Sequence, residues 1–115
     1  MSKTKLSEGN TINLEDFRVE GAKVFTGRDR GKKVRVESAI DSIEEMNSQV
    51  YIIIPKNVYS IIPSFFEELF LNVVLKLGRD EFLRKFKFTS QGEYQYERTL
   101  NEAIERILRK KTAIG

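Results

Sequence analysis

The run Gln49–Ile54 (QVYIII), closed by Pro55, constrains this chain more than any other segment. Its apolar residues are β-branched or aromatic and do not alternate with polar ones, which is the pattern of a central strand covered on both faces. Proline cannot donate into a β-ladder, so the strand ends at Pro55. Lys56 and Asn57 carry turn chemistry, and the ring of Pro63 pushes Ile62 toward extended geometry. A helix is therefore expected from Pro63 or just after it. Either Pro63 occupies the first helical position, or Ser64 caps the helix with Glu67 reaching back in a Ser-x-x-Glu box. Phe65, Phe66, Leu69, Phe70, Val73, Val74 and Leu77 follow as one broad apolar stripe, and Gly78 reads as the stop.

Around this segment the pattern alternates between strand and helix. Thr11–Phe17 (TINLEDF) reads as a short strand, Glu20-Gly21 as a turn, and Ala22–Phe25 as a second strand closing a hairpin. The stretch Thr26–Gly31 breaks the periodicity, after which Val36, Ala39, Ile40, Ile43 and Met46 fall on one helical face. Ser38 and Asp41 have capping spacing within that stretch, but the earlier helix start is preferred. Phe86 and Phe88 between Lys85 and Lys87 predict a half-exposed strand over Lys85–Thr89, followed by a Ser90-Gln91-Gly92 loop. Tyr96, Leu100, Ala103, Ile104, Ile107 and Leu108 mark a last helix with cations at its end. The expectation is a single small α/β domain over 11–110, a mixed β-sheet with helices packed on it, between a flexible N-terminus (1–10) and a basic C-terminal tail (111–115).

With 115 residues and 40% hydrophobic content, the chain is sized for one core. It has neither cysteine nor histidine. That removes disulfide staples, the thiol nucleophile, the usual general base near neutral pH and most zinc ligands. The polar start (MSKTKLSEGN) lacks a signal-peptide core, and no apolar run approaches the ~20 residues that span a bilayer. A cytoplasmic protein without cofactor, metal site or membrane contact is expected, and no enzyme. The net charge of +3, from 20 basic and 17 acidic side chains, hints only weakly at anionic partners.

Three segments together carry a family resemblance: Gly27-Arg28-Asp29-Arg30-Gly31, the strand Val50–Ile54, and Val58–Leu69 with its Pro-Ser-Phe-Phe-Glu-Glu-Leu run. In them the chain resembles the STAS-like domains of unknown function, relatives of the sulfate-transporter and anti-sigma-factor-antagonist domains, over roughly residues 11 to 110. The resemblance implies a STAS-like fold and a bacterial or phage signalling role. It also implies a protein partner such as a histidine-kinase-like ATPase or a related regulator. In the antagonists a serine at the start of the corresponding helix is phosphorylated, and Ser64 falls on that position. Ile62, Pro63 and Phe65 depart from the pattern around the modified serine, and Pro55 stands where many members carry an aspartate. The surface of Lys56, Asn57, Tyr59, Ser60 and Ser64 is accordingly read as a docking edge first and a phosphorylation switch second. The plainer role of Ser64 is a helix cap.

The alternative site is basic. Gly27, Arg28, Arg30, Gly31, Lys32, Lys33 and Arg35 form a glycine-flanked cationic stretch at a helix start, suited to a nucleotide, a phosphorylated ligand or a nucleic-acid backbone. Its spacing matches no P-loop or dinucleotide fingerprint. A solvated face neutralised by Glu37, Asp41, Glu44 and Glu45 is the simpler account. Tyr51, Tyr59, Tyr94 and Tyr96 could stack on bases, although closing the edge of the core is the plainer role. Glu67 and Glu68 diverge by about 100 degrees on a helix, so they read as cap and solvated side rather than as an acid pair.

Overall fold

The computed structural model describes residues 9–114, with side chains described up to Lys111. The element order is β1 (Thr11–Asn13), a 3-10 helix (Leu14–Phe17), β2 (Val24–Phe25), α1 (Arg28–Ser38), α2 (Ile40–Met46), β3 (Val50–Ile54), β4 (Ser60–Ile61), α3 (Pro63–Leu69), α4 (Leu71–Lys85), β5 (Phe86–Ser90) and α5 (Glu97–Ile114). The N-terminal stretch expected to be mobile lies outside the described residues except for Gly9 and Asn10. Asn10 is tied down, its carbonyl accepting from the Tyr51 amide at 2.8 Å and its side chain donating to the Gln49 carbonyl at 3.2 Å. At the other end α5 continues to Ile114, into the stretch expected as a separate basic tail.

The sheet is parallel throughout, not mixed. β3 lies between β1 and β5, with Ile12 paired to Ile52 and Ile52 to Phe88, and a separate two-stranded ribbon joins β2 to β4. The expected β1–β2 hairpin does not form. Its two strands belong to different sheets, and each pairs with a strand some forty residues on. The cause is a repeated element order that the sequence does not display: strand, short strand, helix, helix occurs twice before β5. Each repeat is a helical crossover, and a crossover returns the chain parallel to where it began.

The winding also decides which face is covered. The chain steps across the sheet in one direction, β1 to β3 to β5, and right-handed crossovers then place both sets of helices on the same side. Ile12, Val50, Ile52, Ile54 and Phe86 are buried on that side. On the other side Tyr51 is 42% exposed, and Lys87 and Thr89 are exposed beside it. The central strand is thus covered on one face, correcting the expectation of two. The lack of alternation misled because Ile53 is half-buried on the open face.

Helix boundaries follow local chemistry. Pro63 takes the first position of α3, and Ile62 stands before it at φ −79°, ψ 139°, as the proline ring requires. Helical geometry lapses at Phe70 (φ −99°, ψ 9°), so the expected single helix over 63–77 is two. Gly78 does interrupt the second, at φ 81°, but the helix resumes and runs on to Lys85. The first helix opens at Arg28, earlier than the periodicity indicated, and a left-handed Ala39 (φ 57°) divides it from α2.

The core is aromatic. Phe66, Phe70, Phe82, Phe86 and Phe88 form a continuous set of ring contacts, Phe82 stacking on Phe86 at 4.6 Å between centroids. Such pairs contribute roughly 0.5–1.5 kcal/mol each beyond the burial of area. Helices α1 and α5 flank α3, with Leu100, Ala103, Ile104 and Ile107 of α5 buried. The approach of α1 is closest at Gly31, where a Cβ would stand 2.4 Å from the Phe65 carbonyl oxygen. Gly31→Ala is therefore expected to destabilise the fold by about 1–3 kcal/mol, the range for overpacking a core. Urea unfolding followed by circular dichroism checks this as a lowered midpoint with an unchanged slope.

Candidate functional site

Two surfaces contain the residues singled out from the sequence. The first is the ribbon of β2 and β4 with the turn before it. Asn57 turns the chain in the left-handed region at φ 59°, a conformation asparagine tolerates better than most residues. Arg18 fastens the turn by donating to the carbonyls of Lys56, Asn57 (3.3 Å) and Ala22 (3.1 Å). Tyr94 holds the following strand from the side, its hydroxyl accepting from the Ile61 amide at 3.2 Å and lying 2.9 Å from the Thr99 hydroxyl. With the backbone fixed from both sides, Tyr59 is left 71% exposed, and the Lys23 ammonium lies 5.0 Å from its ring centroid.

Alternation along the ribbon separates its faces. Phe25 and Ile61 pair and are buried, while Val24 pairs with Ser60 on the outward side and Ile62 follows. Val24 is 43% and Ile62 38% exposed. Ser64 is next, at the second position of α3 and half-buried, but its hydroxyl makes no capping bond. The cap expected there is absent because Pro63 shifts the boundary so that Ile62 holds the capping position. Lys56, Asn57, Tyr59, Ser60 and Ser64 are thus consecutive parts of one turn, strand and helix start.

The basic segment does not form a loop. Arg28 to Arg35 lie in α1, Gly27 precedes it at φ 95°, and Gly31 is buried against Phe65 rather than open to a ligand. The cations separate around the helix. Arg28 reaches Glu67 at 3.3 Å and Glu68 at 3.5 Å. Arg35 is half-buried on the same face, donating to the Glu68 carbonyl at 2.7 Å and pairing with the Glu68 carboxylate at 3.5 Å. Lys33 meets Glu37 at 4.0 Å, while Arg30 and Lys32 make no ion pair among the described residues. What the fold gathers instead is Arg28 with three cations from the end of α5, all around Glu67.

The sequence pattern makes Glu67 a cap or a solvated residue, whereas in the fold its side chain is 1% exposed. Lys110 pairs with Oε2 at 2.7 Å, Arg28 approaches the same oxygen, and Arg106 stands 3.8 Å from Oε1. Burial pushes this carboxyl up, but the Lys110 and Arg28 cations outweigh it, and the group is held below the usual carboxylate range. A sequence signal was available. Phe65, Phe66, Leu69 and Phe70 surround more than one stripe of a two-turn helix, so such a helix must be covered on several sides, Glu67 included.

A second buried carboxylate, Glu44 of α2, joins α2 to α4. Lys76 meets its Oε1 and Lys85 its Oε2, each at 2.7 Å, and Lys85 also donates to the Glu44 carbonyl. Burial again pushes the carboxyl up, and the two lysines more than reverse it. Among the described residues no three acidic side chains converge as a metal site, and no helix is long and apolar enough to cross a membrane. Comparisons of the chain with protein-family models, with curated proteins and with solved structures find no match.

Because Glu67 is depressed in the fold, its contribution is complete above its ordinary value of 4.5 and is lost as the pH falls through the lower folded value. Glu67→Gln is expected to cost about 1–3 kcal/mol at neutral pH, the penalty for leaving buried partners unmatched. The gap between the variant and the wild type should then narrow on acidification below 4.5. Urea midpoints measured at neutral and acid pH check both the size and the sign.

Proposed function

We propose that this chain is a non-catalytic interaction module that docks a partner regulator protein through the β2–β4 ribbon and the start of α3. The carrying observation is the concentration of exposed apolar groups there. Of the seven large hydrophobic side chains that are exposed among the described residues, Val19, Val24, Tyr59 and Ile62 belong to the ribbon or to the segments flanking it. Exposed apolar side chains held on a fixed backbone are what a recognition surface needs, and tyrosine is among the residues that most often dominate binding energy. The exposed cations Lys23 and Lys56 lie beside them. The partner surface this suits has an apolar centre with carboxylates at its rim. Ser60 and Ser64 adjoin the patch, so a phosphate on Ser64 would place negative charge next to that rim and oppose docking. The resemblance to STAS-like domains supports the same reading.

The test is affinity capture from the native host in three arms: wild type, Tyr59→Asp/Ile62→Asp, and Arg109→Ala as a control on a different surface. A protein retained by wild type and control, and weakened at least about tenfold by the double variant, is the expected outcome, since hot-spot losses exceed ~1.4 kcal/mol. Circular dichroism of each variant confirms the fold. Capture indifferent to the double variant, or no enrichment over an unrelated bait, rejects the proposal.

A further inference from the structure

The depression between the start of α1 and the end of α5 has the makings of a small-anion site, independent of the docking surface. It has a volume of about 440 Å³ and is lined by Arg28, Glu67, Arg106, Arg109 and Lys110. Four cations thus face one carboxylate. Glu68 and Glu102, which take part in pairing Arg28 and Arg106, bring the count to four positive against three negative, and Arg35 offsets Glu68 from its other side. Among the described residues the surplus is positive. Arg109 is exposed and makes no ion pair among the described residues, so a guanidinium stands ready at the rim with its fork of donors unused.

The floor of the depression adds a second requirement. Glu67 Oε1 is buried and accepts no hydrogen bond from the described residues, because Arg106 stops 3.8 Å away and turns instead to Glu102 at 2.7 Å. Other buried polar atoms without partners occur on Arg18, Asp41 and Ser90. Of these four residues Glu67 alone is buried as a whole, its side chain 1% exposed, and it lines this depression. An unmatched buried acceptor is costly, and what satisfies it is a donor. A ligand seated here must therefore be an anion to the arginines and a hydrogen-bond donor to Glu67.

We propose that this depression binds a protonated phosphate group, held by Arg28, Arg106, Arg109 and Lys110, with a P–O–H donating to Glu67 Oε1. Hydrogen phosphate meets both demands because it keeps a proton at neutral pH. Sulfate has the same shape and the same double charge but no proton to give, so it would oppose its oxygens to the carboxylate. Arg106 is 38% exposed and would turn from Glu102 toward the bound oxyanion, uncovering Oε1 as it moves. Glu67 is then the residue that selects, and the cations are the residues that attract.

Inorganic phosphate and sulfate at matched ionic strength are the probes, followed by amide chemical-shift titration of the whole chain. Phosphate is expected to bind saturably and at least about tenfold more tightly than sulfate. Arg109→Ala, which removes no ion pair found among the described residues, should weaken phosphate binding several-fold. Glu67→Gln should bring the two anions within about twofold of each other, since an amide can accept from one and donate to the other. Where Glu67→Gln fails to fold, the Arg109→Ala comparison and the wild-type anion preference still decide the matter. Equal affinity for both anions, shifts that do not map to the α1–α5 depression, or no saturable phosphate binding would overturn the proposal.

Discussion

The contact between Gly31 and the backbone of Phe65 sets the spacing of α1 and α3 and, through it, the reach of the charged side chains that line their seam. A side chain at 31 would hold the two helices apart, because its Cβ would meet both the Phe65 carbonyl and the Glu68 Cβ. With hydrogen alone there, the helices meet backbone to backbone, and the residues one turn to either side acquire fixed reach. Arg28, a turn before Gly31, falls on Glu67 and Glu68; Arg35, a turn after, reaches the Glu68 carbonyl. The ion pairs do not bring these helices together. They are available because a close steric fit has already done so, and Arg28 then covers the seam with its stem while its charged end stays near water.

The direction of winding is the other governing constraint. A sheet wound outward both ways from its centre has helices on both faces; one that advances in a single direction has them on one. Here the uncovered face presents Thr11, Asn13, Tyr51, Ile53, Lys87 and Thr89 by strand alternation. Parallel sheets are seldom open to water. This one is tolerable because only Ile53 of the six is aliphatic, and it is half-buried.

How much of this was legible in the sequence depends on whether a feature is local. The strand Val50–Ile54, the helix start at Pro63, the strand beginning near Lys85 and the amphipathic last helix were readable, because proline geometry and apolar periodicity act over a few residues. Strand pairing was not. A short strand followed by Gly21 looks like half of a hairpin whichever partner it takes, and only the crossover decides. Gly31 looks like a loop glycine because its neighbours are charged, whereas its need is steric and comes from Phe65. Part of each candidate surface was readable too, from Tyr59 and Arg28. The cations of α5 were not, since nothing within the chain near residue 28 announces that residues 106 to 110 will stand beside it.

Glu44 and Glu67 differ in a way that bears on function. Each is a buried carboxylate reached by cations from other elements, and each is held ionised by them. At Glu44 both oxygens are met, one lysine to each, and the lysine on Oε2 also bonds the backbone. That is a completed clamp between α2 and α4. At Glu67 two cations converge on Oε2 while Oε1 is left without a donor among the described residues, although an arginine is within 3.8 Å and bonds elsewhere. A buried ion pair stabilises little even when complete, because desolvation consumes most of the Coulombic gain. An incomplete one stabilises less. Folding alone would favour closing the Arg106 contact, as Glu44 closes both of its own, so the open acceptor beneath a surplus of cations is better explained by something that binds there.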